Sequence, residues 1–140
     1  MSQKSSKISE LLKPLQGGEL DPHYLGYFDC FNRQLFFEAH EVLEQLWLKE
    51  RRGPNDLFYR GLIQFAGAFV HLQRGRPPSA VSLFRLAQRN LAKYVPVYAS
   101  LDVTNVLALI ERWVQELQKP EAPGIRLTPE NAPRLVLLPQ

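Results

Sequence analysis

Helix-breaking residues recur along this chain at intervals that leave only helix-sized stretches between them. Gly17-Gly18, Asp21-Pro22, Gly53-Pro54, Gly75 with Pro77-Pro78, and Pro96 each interrupt regular structure, because glycine frees the backbone while proline fixes φ and removes an N–H donor. Between these points apolar residues return at three- and four-residue spacing and no alternating run occurs. The chain is therefore expected to be all-α, a compact bundle of about five helices followed by an extended, proline-rich C-terminal tail.

Local signals place the helices. Asp21 before Pro22 reads as an N-cap with proline in the first turn, opening a helix through Tyr24, Leu25, Tyr27, Phe28 and Phe31 that ends near Asn32. A second helix is expected from about Gln34 to Lys49 and a third from about Asn55 to Arg74, stopped by Gly75 in left-handed geometry. Pro77-Pro78-Ser79 begins a fourth, closed by Pro96, and Asp102 caps a fifth, Val103 to about Leu117. Residues 21–119 thus form the helical domain. Residues 1–20 form an amphipathic segment at best, loosely attached, with Pro14 ahead of the Gly17-Gly18 turn. From 120 to 140, Pro120, Pro123, Pro129, Pro133 and Pro139 forbid another regular helix, while Ile125, Leu127, Leu135, Val136, Leu137 and Leu138 suit a tail lying along the domain.

With 45% apolar and 22% charged residues over 140 positions, the chain can bury a core as one domain. Cys30 is the only cysteine, so neither an internal disulfide nor a cysteine-based metal centre can form within one chain, which fits a reducing cytoplasm. No stretch approaches the roughly 18 apolar residues that span a bilayer, and the N-terminus lacks the apolar core of a secretory signal. The net charge of +3 is modest. Arg85, Arg89 and Lys93 share a helical stripe that reads as a solvated face. Without a recognition motif or an aromatic platform, the basic residues argue against nucleic-acid binding. Trp113 and the apolar tail either offer a surface to a second copy of the chain or complete its own core.

The stretch FFEAHEVLEQLW, residues 36–47, sets one histidine and three acids among large apolar side chains. Advancing about 100° per residue, Leu35, Phe36, Ala39, Val42, Leu43, Leu46 and Trp47 fill one sector, the core face. Glu38 points to solvent. His40 and Glu44 lie one turn apart at the margin of the core beside Trp47, and Glu41 sits between Phe37 and Leu48. On the third helix Gln64 and His71 are expected to share a face with Leu57, Gly61 and Ala68. If the second and third helices form an antiparallel hairpin, His40, Glu44, Gln64 and His71 meet in one cluster.

Three chemistries suit such a cluster. His40 and Glu44 can be an i,i+4 pair with Gln64 and His71 satisfying each other, a structural arrangement. The histidines and acids can line a metal-free pocket for a small ligand. Alternatively His40, Glu44 and His71 can hold a divalent transition metal such as zinc, iron, manganese or nickel. Glu41 would then be a general base toward a metal-bound water, as in a hydrolase or oxygen-using enzyme. The helical zinc motif has histidines at both i and i+4, whereas position 44 is glutamate.

The strings FNRQLFFEAHEVLEQLW, GLIQFAGAFVH and YVPVYASLDV, in this order and spacing, resemble the bacterial and archaeal family called domain of unknown function 309. The resemblance runs from about Tyr24 to Val103. Its hallmark, a histidine, three residues, a glutamate, two residues and an aromatic, falls on His40, Glu44 and Trp47; the family's third-helix histidine and glutamine fall on His71 and Gln64. It implies a compact helical bundle and a suggested metal site, with no established reaction. Gln34, Arg76, Ser79 and Ser100 depart from the family's usual Gly, Asn, Gly and Gly, changing turns more than candidate ligands.

Overall fold

Asp21 accepts the His23 N–H at 2.8 Å and Asp102 accepts the Asn105 N–H at 3.0 Å. Each satisfies a donor left without a partner in the first turn of a helix. The computed structural model describes residues 3–13, 20–120 and 125–139. Pro14, the Gly17-Gly18 turn and Pro123 lie outside the described residues. The helices are α1 (Gln3–Leu12), α2 (Pro22–Asn32), α3 (Phe36–Lys49), α4 (Asp56–Gln73), α5 (Pro77–Leu91) and α6 (Val103–Leu117). Gly75 stands at φ 69°, closing the end of α4 as expected.

Two features differ from the sequence reading. The N-terminal segment is a helix, so the described residues hold six rather than about five, and α1 buries Ile8 and Leu12 in the core. Between α5 and α6 lies a small antiparallel hairpin, β1 (Val97–Tyr98) and β2 (Leu101–Asp102), in place of purely helical structure. Strands of two residues are too short to show a period of two in sequence. Its turn holds Ala99 at φ 47° and Ser100 at φ 61°, both left-handed.

The helices α2 to α5 pack as successive antiparallel neighbours. Phe31 of α2 meets Phe36 of α3 across their short connection with ring centroids 5.0 Å apart, and Phe36 stacks on Phe69 near the far end of α4 at 5.0 Å. At Gly61 a Cβ would stand 2.7 Å from Leu91, so the start of α4 runs against the end of α5 with no room for a side chain. The core is aromatic: Phe31 stacks on Phe65 at 5.3 Å, and Phe69 meets Phe84 and Trp113 edge-on at 5.2 and 5.5 Å. Trp113 of α6 therefore completes the chain's own core. Such buried rings are worth about 1.5–3 kcal/mol each in burial, with a further increment from edge-to-face geometry.

On α3 the core face is as expected at Phe36, Ala39, Val42, Leu43 and Leu46, while Leu35 and Trp47 are only partly covered. Beyond α6, residues 125–139 contain neither helix nor strand. Leu135 is buried there, and its backbone is gripped by Asn32, whose side-chain amide donates to Leu135 O at 2.8 Å and accepts from Leu135 N at 2.7 Å. No helix among the described residues is long and apolar enough to cross a membrane.

Candidate functional site

Where the first half of α3 crosses the second half of α4, the surface opens into a cavity of about 240 Å³. Phe37 and His40 face it from α3, one turn apart. Ile63, Gly67, Val70, His71 and Arg74 face it from successive turns of α4, and Leu83 closes it from α5. Gly67 explains part of the space. Glycine inside a helix costs about 1 kcal/mol relative to alanine, and here its missing side chain leaves the wall low: an added Cβ would meet only Leu83, at 3.1 Å.

The polar groups are few. His40 Nε2 lies 3.3 Å from Glu44 Oε2, tying the ring along its own helix, with the two side chains 30% and 31% exposed. His71 Nδ1 is shut off from water and has no hydrogen-bond partner among the described residues, an unusual state for a buried polar atom. At the rim the Arg74 guanidinium lies over the Phe37 ring, 5.7 Å from its centroid, and that ring is 6.0 Å from His40. Among the described residues no acidic side chain lines the cavity. The lining is otherwise aliphatic or aromatic, so it can hold a small apolar body and offer it a few directed polar contacts.

Of the residues expected to cluster, His40 and His71 share this cavity and Glu44 stands behind His40. Gln64 does not join them: its Oε1 accepts from Asn90 Nδ2 at 2.8 Å, across the crossing with α5. α4 is the central helix, and its polar strip is divided between two neighbours. Trp47 is also elsewhere, donating its indole N–H to Asp56 at 2.6 Å with Arg51 and Arg60 over its ring at 5.2 and 5.4 Å. Glu41 is not among the lining residues. Among the described residues no group of three histidine, cysteine, aspartate or glutamate side chains is placed to hold a metal ion, His40, Glu44 and His71 included.

Glu38, expected to be solvated, is 21% exposed and meets Lys7 Nζ at 3.4 Å, because α1 lies over this part of α3. Arg85, read as part of a solvated stripe, reaches Glu111 of α6 at 2.9 Å. Gln88 and Arg85 together hold the Glu111 carboxyl below its ordinary range through hydrogen bonds. Burial pushes the Cys30 thiol up to about 11, so it stays protonated and inert. Phe37, Gly67 and Arg74 line the cavity in addition to the residues expected there from sequence. Phe37 precedes His40 by three residues and Arg74 follows His71 by three, so helical spacing from the two histidines would have found both.

The resemblance seen in the sequence holds over residues 24–83, which match the family described as Domain of unknown function (DUF309). Every residue lining the cavity falls within that span, whereas the YVPVYASLDV string lies beyond it. Over 82 residues the chain is 27% identical to an uncharacterized protein of Aquifex aeolicus (strain VF5), a match that covers 59% of this chain and 25% of that protein. The chain thus spans about a quarter of the length of the curated relative it matches. No solved structure matches the chain.

Proposed function

We propose that the helical domain is a small-molecule-binding module whose site is the cavity between α3 and α4. The observation that carries this reading is an apolar cavity of about 240 Å³ to which His40, His71 and Arg74 bring the polar side chains among the described residues. A small molecule that fills the apolar space meets the His71 ring. His40, positioned by Glu44, supplies a second ring beside it.

Amide chemical shifts of ¹⁵N-labelled protein test the reading with three probes of one shape: benzyl alcohol, benzylamine and benzoate. At least one is expected to move the resonances of α3 and α4 around Phe37, His40, Gly67 and His71 saturably. Gly67→Leu, which fills the space toward Leu83, should abolish the response, and Ile63→Phe should weaken it from another wall. If none of the three probes perturbs these resonances at millimolar concentration, the cavity is not a ligand site.

A further inference from the structure

Resting on the reading of this cavity as a ligand site, we infer that its ligand is a small organic anion, an apolar body carrying one carboxylate or phosphate group, with Arg74 as the anchor for the charge. The balance of charge around the cavity points there. Arg74 contributes a guanidinium at the rim, where it lies over the face of Phe37, and among the described residues no carboxylate forms an ion pair with it. His40 is tied to Glu44 along α3 at 3.3 Å, and Glu44 itself does not line the cavity. The guanidinium is thus the lining group of fixed charge at the rim. A cationic ligand would meet Arg74 and find no acid on the walls.

The end of α4 does not oppose this. A helix C-terminus ordinarily presents free carbonyls and a partial negative charge. Here Val70 O and His71 O accept from Arg74 N at 3.1 Å each, Leu72 O from Gly75 N at 3.2 Å, and His71 O again from Arg76 N at 2.9 Å. The carbonyls nearest the cavity are occupied, and the group left facing an incoming ligand is the guanidinium fork, whose planar donors match two oxygens of a carboxylate or phosphate. The His71 ring also lines the cavity and offers a further polar contact. The aliphatic residues Ile63, Val70 and Leu83 then cover the apolar body.

The three probes separate this inference from the reading beneath it, and phenyl phosphate added as a fourth distinguishes the two anionic groups. Benzoate or phenyl phosphate is expected to bind about tenfold more tightly than benzyl alcohol, and benzylamine more weakly than either. Arg74→Met should remove most of that preference and raise the Kd of the preferred anion about fivefold to tenfold. Arg74→Lys, which keeps the charge but loses the fork, should fall between. Benzyl alcohol or benzylamine binding as tightly as both anions would overturn the inference while leaving the ligand site standing, and so would an Arg74→Met variant with unchanged anion affinity. Silence from all four probes would overturn both.

Discussion

The indole N–H of Trp47 donates to the carboxylate of Asp56 at 2.6 Å, joining the last turn of α3 to the first turn of α4. Asp56 also accepts the backbone N–H of Arg52 at 2.9 Å from the connecting loop. One carboxylate therefore fixes the angle at which the two helices leave their turn, and that angle sets the walls of the cavity at their other ends.

This link should be visible in the pH dependence of stability. The Trp47 hydrogen bond, then that of Arg52, holds the Asp56 carboxyl below its ordinary value of 3.8. A group lowered in the folded state contributes stability that is complete above its unfolded value and is lost as pH falls through the folded one. Thermal melts of wild type and Trp47→Phe should differ by a constant margin above about pH 5 and converge as pH drops toward 2. A margin that stays the same at the acid end would deny Asp56 this role.

Asn32 brackets the backbone of Leu135 with both atoms of its amide. Asn32→Ala would leave the N–H and C=O of a buried residue without partners, at a cost of about 1–3 kcal/mol. Urea denaturation measures the loss, and limited proteolysis should then cut within 125–139 before the helices. Asn32→Asp, which keeps only the acceptor, should be destabilised as well. Wild-type stability in both variants would show that this bracket holds nothing.

Backbone geometry gives two predictions of opposite sign. Nothing lies within 4 Å of a Cβ added at Gly75, so Gly75→Ala tests its φ of 69° alone and should cost about 1 kcal/mol. Ser100 carries a side chain at φ 61° in the hairpin turn, and Ser100→Gly should stabilise the fold by up to about 1 kcal/mol. Melting temperatures that move in the same direction for both would contradict the assigned conformations.

The two helical glycines facing α5 should also part company. At Gly61 a Cβ meets Leu91 at 2.7 and 2.9 Å, so Gly61→Ala should overpack the crossing and destabilise by about 1–3 kcal/mol despite the better helix propensity of alanine. At Gly67 the one contact is the end of Leu83 at 3.1 Å, and Gly67→Ala should be near neutral in a denaturation experiment. Equal losses at the two positions would mean that the wall at Gly67 is as tight as the crossing at Gly61.

What could be read from sequence was what is local. The caps at Asp21 and Asp102, the left-handed Gly75 and the buried face of α3 each depend on residues within one or two turns, and each appears in the structure. The rotation of one helix against the next depends on packing across the core, which is why Gln64, expected in the cluster with His71, is found on Asn90. Trp47 shows the same limit: its place on the wheel beside His40 was legible, but the partner that holds it, Asp56, lies across a turn whose geometry no periodicity reports. That His40 and His71 line one cavity agrees with the antiparallel order of α3 and α4.

The central claim is that His40 and His71 share one ligand cavity, and the chain's three histidines allow a direct test. His23 lies apart on α2, between Asp21 and Gln45, and serves as the internal control. Imidazole ¹H–¹⁵N spectra recorded while titrating the aromatic probe that binds most tightly should show the rings of His40 and His71 shifting together along one saturation curve, with His23 unchanged. A saturating probe that leaves His40 and His71 unmoved, or that moves His23 as much, would contradict the claim.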